Sequence, residues 1–102
     1  MALKKKISMP NGIGLGYHRI GMLKMDVNQQ NTILVYSYLS EDGRQVEKDY
    51  ADGKYKDVDA GLIPFPYYNA EYINAPYDEN MTLEKAYEYL KTLPEFEGAE
   101  NV

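Results

Sequence analysis

The sequence predicts an α+β domain, a mainly antiparallel sheet of about four to six strands with one C-terminal helix. Three observations carry this. Alternating or β-branched runs at 4–9, 13–27, 32–39 and 67–74 are separated by turn residues. The one stretch with sustained helical periodicity, 82–93, comes last. A chain of 102 residues has room for a single core. That core is assigned to residues 1–98, with 99–102 as a frayed tail.

The first strand is Lys4–Met9, with Ile7 and Met9 pointing one way. Pro10 and then Asn11-Gly12 mark a tight turn, because Asn and Gly accept positive φ. In 13–20, Ile13, Leu15, Tyr17 and Arg19 share one face; Gly14, Gly16, His18 and Ile20 share the other. Gly21 breaks or bulges the run, and 22–27 continue it. After the polar turn Asn28–Asn31, residues 32–39 form the strongest strand. It carries Ile33, Val35, Ser37 and Leu39 on one face and Leu34, Tyr36 and Tyr38 on the other, which makes it central in the sheet.

Residues 44–50 fit two readings. Val46 and Tyr50 have helical spacing, while Val46, Lys48 and Tyr50 alternate as in a strand. Asp42-Gly43 sits where a hairpin turn belongs, which favours the strand. Residues 51–66 read as a long loop, and 67–74 as a strand that Pro76 ends. In the helix, Leu83, Ala86, Tyr87, Leu90 and Leu93 share a face, Thr82 caps the start and Pro94 stops it. The expected core is Ile7, Leu15, Ile20, Ile33, Val35, Leu39, Leu83, Ala86, Tyr87 and Leu90.

Composition excludes several chemistries. The net charge is -5, against nucleic acid as the main partner. No cysteine is present, so disulfides, thiolate zinc sites and cysteine nucleophiles are ruled out. A single histidine allows no multi-histidine metal site. No apolar run reaches the ~18 residues of a membrane span, and the basic opening Met1–Pro10 has no apolar segment behind it, so it is not read as a secretory signal. The expectation is no cofactor, no metal, no nucleic acid and no membrane.

The candidate catalytic patterns have plainer explanations. The glycines at 12, 14 and 16 alternate inside a strand with no helix after them, unlike a dinucleotide fingerprint. They leave a bare strand face that a backbone or an aromatic ring can approach. Asp49, Asp52, Asp57 and Asp59 lack the spacing of a calcium loop. His18 has no nucleophile or base partner nearby in sequence and reads as a hydrogen-bonded strand residue. Asp78 and Glu79 sit where they favour the helix N-terminus.

Tyrosine is the compositional outlier, with 11 of the aromatic residues against two phenylalanines and no tryptophan. Its apolar ring and polar tip suit half-buried strands and interfaces. Tyr36, Tyr38, Tyr87 and Tyr89 read as half-packed core residues. Tyr67, Tyr68, Tyr72 and Tyr77 read as a contact surface for another subunit or a glycan. Charge divides along the chain: residues 1–40 carry a local net of +4 and 41–102 a net of -9. Lys4, Lys5 and Lys6 are therefore candidate contacts to a neighbour's acidic region.

The opening Met-Ala-Leu-Lys-Lys-x-Ile (Met1 to Ile7), the Asn11-Gly12 turn and Tyr17-His18-Arg19-Ile20 resemble a group of small phage proteins. So do the run from Ser37-Tyr38-Leu39-Ser40 to Lys48 and the ending from Ala86-Tyr87-x-Tyr89-Leu90-Lys91 to Val102. Those proteins are encoded in the structural-gene regions of tailed phages and prophages of Gram-positive bacteria. Residues 50–68 depart from them, being longer and richer in Pro and Tyr. The resemblance implies a virion component of the tail or baseplate without enzyme activity, and no functional residues are carried over from it. The expected partners are further copies of the chain and other virion proteins. The expected location is the virion, with host cytoplasm during assembly. The alternative is a small Tyr-rich binding module for a host-surface glycan or protein.

Overall fold

A computed structural model of the chain describes residues 1–59, 61 and 68–102. Among them are five strands and two helices: β1 (Leu3–Ser8), β2 (Gly14–Asp26), β3 (Gln30–Tyr38), α1 (Glu41–Ala51), β4 (Tyr68–Pro76), α2 (Leu83–Lys91) and β5 (Glu100–Asn101). The strands form one antiparallel sheet in the order β4-β3-β2-β1-β5. The α+β class expected from the sequence is the observed one.

Local chemistry shapes each turn. Between β1 and β2, Met9 and Ile13 close the hairpin (Met9 N to Ile13 O 2.7 Å), and Asn11 Oδ1 accepts the Ile13 N–H at 3.0 Å. Gly12 holds φ +86° there, a conformation that any Cβ would strain. Between β2 and β3, Asn28 takes φ 61°, which Asn tolerates better than most residues.

The ladder of β2 and β3 slips between Ile20 and Met22. The bulge at Gly21 reverses the side-chain alternation. Ile20, opposite Val35, faces the core. Met22, opposite Leu34, faces the other side. An ideal Cβ on Gly21 would lie 2.1 Å from Cε2 of Tyr36. The aromatic ring is thus admitted at Gly21, five residues beyond the stretch 12–16 where a close approach was expected; within that stretch an ideal Cβ on Gly16 would meet the Leu39 carbonyl oxygen at 3.1 Å. Gly21→Ala must push the Tyr36 ring aside and is expected to destabilise by about 1–3 kcal/mol. Chemical denaturation checks this; an unchanged midpoint would contradict the packing.

One sheet face carries the core. Leu3, Ile20, Ile33, Val35, Ile73 and Ala75 meet Ala86, Tyr87 and Leu90 of α2 and Phe96 of the 3-10 turn Pro94–Phe96. The Tyr87 hydroxyl accepts from the Ile20 N–H (2.8 Å) and donates to the Met1 carbonyl (2.9 Å), tying α2 to the bulge and the chain start. At the other end of the sheet, the Asn31 amide donates to the Asp78 carbonyl at 2.8 Å and anchors the link into α2.

Four expectations need correction. Residues 44–50 are helical, within α1, and not a return strand. Ser40 caps the Asp42 N–H, and Glu41 and Asp42 sit in the first turn; the Asp42-Gly43 pair is absorbed into that turn, with capping and charge favouring helix. The C-terminal helix is therefore the second of two. Residues 99–102 do not fray: β5 pairs with β1, and Ala2 and Val102 exchange two backbone hydrogen bonds of 3.0 Å. Leu39 and Leu83, expected in the core, are each 53% exposed. Leu39 lies past the end of β3, and the buried stripe of α2 begins one turn after Leu83. Ile7 is half-buried at the core margin.

Candidate functional site

The sheet face opposite α2 is the one built from tyrosine. Strand alternation places Tyr17 and Arg19 of β2 beside Tyr36 and Tyr38 of β3. The Arg19 guanidinium lies over the Tyr36 ring, 4.8 Å from its centroid. Its Nε donates to the Tyr38 hydroxyl at 3.0 Å. That hydroxyl donates to Glu47 Oε1 of α1, which also takes Arg44 Nη1 at 3.1 Å and Arg19 Nη2 at 3.4 Å. Burial first, and the Glu47 carboxylate second, push the Tyr38 phenol up to about 12, so it keeps its proton and remains a donor. α1 has no buried residue. A charge-assisted node, and not an apolar stripe, is what fastens it over this face.

Beyond α1 the same face carries exposed side chains among the described residues. The bulge at Gly21 brings Met22 into line with Leu34 and Tyr72, three direct cross-strand neighbours on β2, β3 and β4. Leu34 is buried between them, while Met22 is 40% and Tyr72 66% exposed. β4 is the last strand of the sheet on this side among the described residues.

The expected contact residues disperse. Tyr72 stands on this face and Tyr77 is half-buried in the link to α2. Tyr68 lies opposite Tyr38 by backbone register; its side chain, and all of Tyr67, lie outside the described residues. Lys4 and Lys6 are exposed on β1, whereas Lys5 is half-buried and donates to the Glu97 carbonyl at 2.5 Å. Lys5 is therefore engaged within its own chain. The three lysines and Tyr72 sit on strands at opposite sides of the sheet, so they do not form one patch.

Sequence reading missed Met22, because alternation without the bulge leaves it on the Ile20 side. It also missed Glu47 and Arg44, whose i,i+3 pairing is visible only once 41–51 is helical.

Among the described residues Asn31 Oδ1 is buried without a hydrogen-bond partner; the other polar groups singled out in the sequence are occupied within the chain. His18 is buried, with Nε2 2.7 Å from the Lys5 carbonyl and Nδ1 2.7 Å from Ser37 Oγ, and its ring meets Phe96 edge-on. A carbonyl only accepts, so Nε2 carries the hydrogen and Nδ1 accepts from Ser37. Burial lowers the His18 pKa, partly offset by the Lys5 carbonyl and Glu95. The unfolded chain then binds a proton that the fold resists. Stability is full above the ordinary value of 6.5 and falls as pH drops through the lowered folded pKa. The chain has one histidine, so its imidazole proton resonance reports this directly; the expected midpoint lies below 6.5. A midpoint above it would contradict the neutral buried ring.

Asp49 is held by Lys54 (3.0 Å) and Gln45 (2.9 Å), which keep its carboxyl below the usual range. Asp78 Oδ1 accepts the Asn80 N–H. No three His, Asp or Glu side chains among the described residues converge as metal ligands. A cleft of ≈ 330 Å³ beside the start of α1 is lined by Lys4, Tyr17, Ser40, Glu41 and Asp42 among others, and the Ser40 hydroxyl there accepts the Asp42 N–H as the helix cap. No helix among the described residues is long and apolar enough to cross a membrane.

Compared with protein-family models, curated proteins and solved structures, the chain matches none of them.

Proposed function

We propose that the protein is a non-enzymatic structural subunit of a tailed-phage or prophage particle. It serves as a tail or baseplate component that packs against copies of itself and other virion proteins. The observation that carries the assembly part is the Met22–Leu34–Tyr72 row, two exposed side chains of interface type flanking a buried one on the sheet face opposite α2. The sequence resemblance supplies the particle. On this reading the chain collects in host cytoplasm and ends in the virion.

The test is an antibody against the chain, applied to particles banded on a density gradient from a host that encodes it. Signal in the particle band is expected. Signal only in the soluble lysate would contradict the reading. Tyr72→Ser is expected to lower self-association of the purified chain at least tenfold with little change in thermal midpoint. An unchanged association constant would contradict the role given to Tyr72.

A second reading, a small binding module for a host-surface glycan or protein, is favoured by the same exposed Tyr72 ring, since aromatic faces stack on sugars. Saturable glycan binding by a chain absent from particles would select it.

A further inference from the structure

The two margins of the sheet are built differently. At one, β5 is two residues long, and the strand behind it carries Lys4, Lys5 and Lys6 and a bulge between Lys4 and Ile7. Short edges, lysines and bulges discourage strand addition. At the other, β4 runs nine residues, has no lysine, and carries Glu71 as its one charge and its proline at the last position.

The phase of the β4 backbone can be read. The Asn74 carbonyl accepts from the Tyr89 hydroxyl of α2 (3.4 Å), and Thr32 Oγ1 bonds Asn74 Oδ1 at 3.2 Å, as in a close, non-hydrogen-bonded strand pair. Asn74 therefore points its backbone groups away from β3. So do Tyr72 and Ala70, two and four residues earlier, and Pro76, which has no N–H to offer. Among the described residues nothing bonds the outward N–H and C=O groups of Ala70 and Tyr72.

We infer that β4 is the pairing edge for a second copy of this chain, antiparallel about a two-fold axis at Tyr72. This rests on the self-assembly reading and gives it a geometry. In this register Tyr72 faces Tyr72 of the second copy and Ala70 faces Asn74. Glu71 then meets Ile73, whereas a two-fold at Glu71 would set two carboxylates opposite each other, which is unfavourable. It also joins the two rows end to end: Met22, Leu34 and Tyr72 of one copy continue into Tyr72, Leu34 and Met22 of the other across six strands. A shift of the axis breaks that strip. The occupant is a second copy because the edge complements itself, donor for acceptor and row for row.

The chain has no cysteine, so a disulfide can report the register. In a hydrogen-bonded antiparallel pair the Cα atoms lie about 5.5 Å apart, within disulfide reach. Ala70→Cys/Asn74→Cys, oxidised at tens of micromolar, is expected to run at twice the chain mass without reductant. Within one strand those positions are about 13 Å apart and cannot bridge. Each single variant is expected to stay uncrosslinked. Ala70→Pro removes one outward N–H without touching the β3 ladder; it is expected to weaken association at least tenfold while the thermal midpoint stays near wild type. Cross-linking of Ala70→Cys alone overturns the register. A wild type that associates, with no cross-link in the double variant, overturns the edge pairing and leaves the assembly reading standing. A wild type that stays monomeric at the same concentration overturns both.

Discussion

Phe96→Ala is expected to cost about 3–5 kcal/mol. Phe96 is 2% exposed, and its ring stands edge-on to buried His18 with centroids 5.2 Å apart. It also ends the 3-10 turn whose carbonyl receives the Ala99 N–H at 3.0 Å, the last support before β5. Removing the ring leaves a cavity beside His18 and loosens the pairing of β5 with β1. Two readouts follow. The denaturation midpoint should fall, and hydrogen exchange at the Ala2 and Val102 amides should accelerate. A loss under about 1 kcal/mol with unchanged exchange would contradict the place given to Phe96.

Leu90→Ala is expected to cost about 2–5 kcal/mol, while Leu83→Ala on the same helix stays within about 0.5 kcal/mol. Leu90 is fully buried with Ala86 and Tyr87; Leu83 is 53% exposed. The paired comparison fixes where along α2 the buried stripe begins, since both residues lie on one helix face and both substitutions remove the same atoms at similar helix propensity cost. Equal losses would show the buried stripe to be misplaced by a turn.

The parts of the fold legible in the sequence were those set by local patterns. Strand alternation in 32–39, the Asn11-Gly12 turn, the interruption at Gly21 and the Thr82-capped helix all depend on neighbours within a few residues. What escaped depends on distant ones. Residues 41–51 are helical because Ser40 caps them and because Arg19, twenty-eight residues before Glu47, fastens them to the sheet; no local pattern carries that pair. β5 exists because its partner is the start of the chain. Of the candidate surface, Tyr72 was legible from composition. Met22 was not, since a bulge of one residue decides its face. Lys5 was read as a candidate contact to a neighbour; its partner within the chain, the Glu97 carbonyl, was not legible because it lies ninety-two residues away.

Self-association is the property on which the functional account depends. Sedimentation equilibrium of the wild-type chain at tens of micromolar and moderate salt tests it most directly. The expected result is a mass of at least twice 11.7 kDa, with an association constant that Tyr72→Ser lowers. A single species of 11.7 kDa across that range would contradict the account.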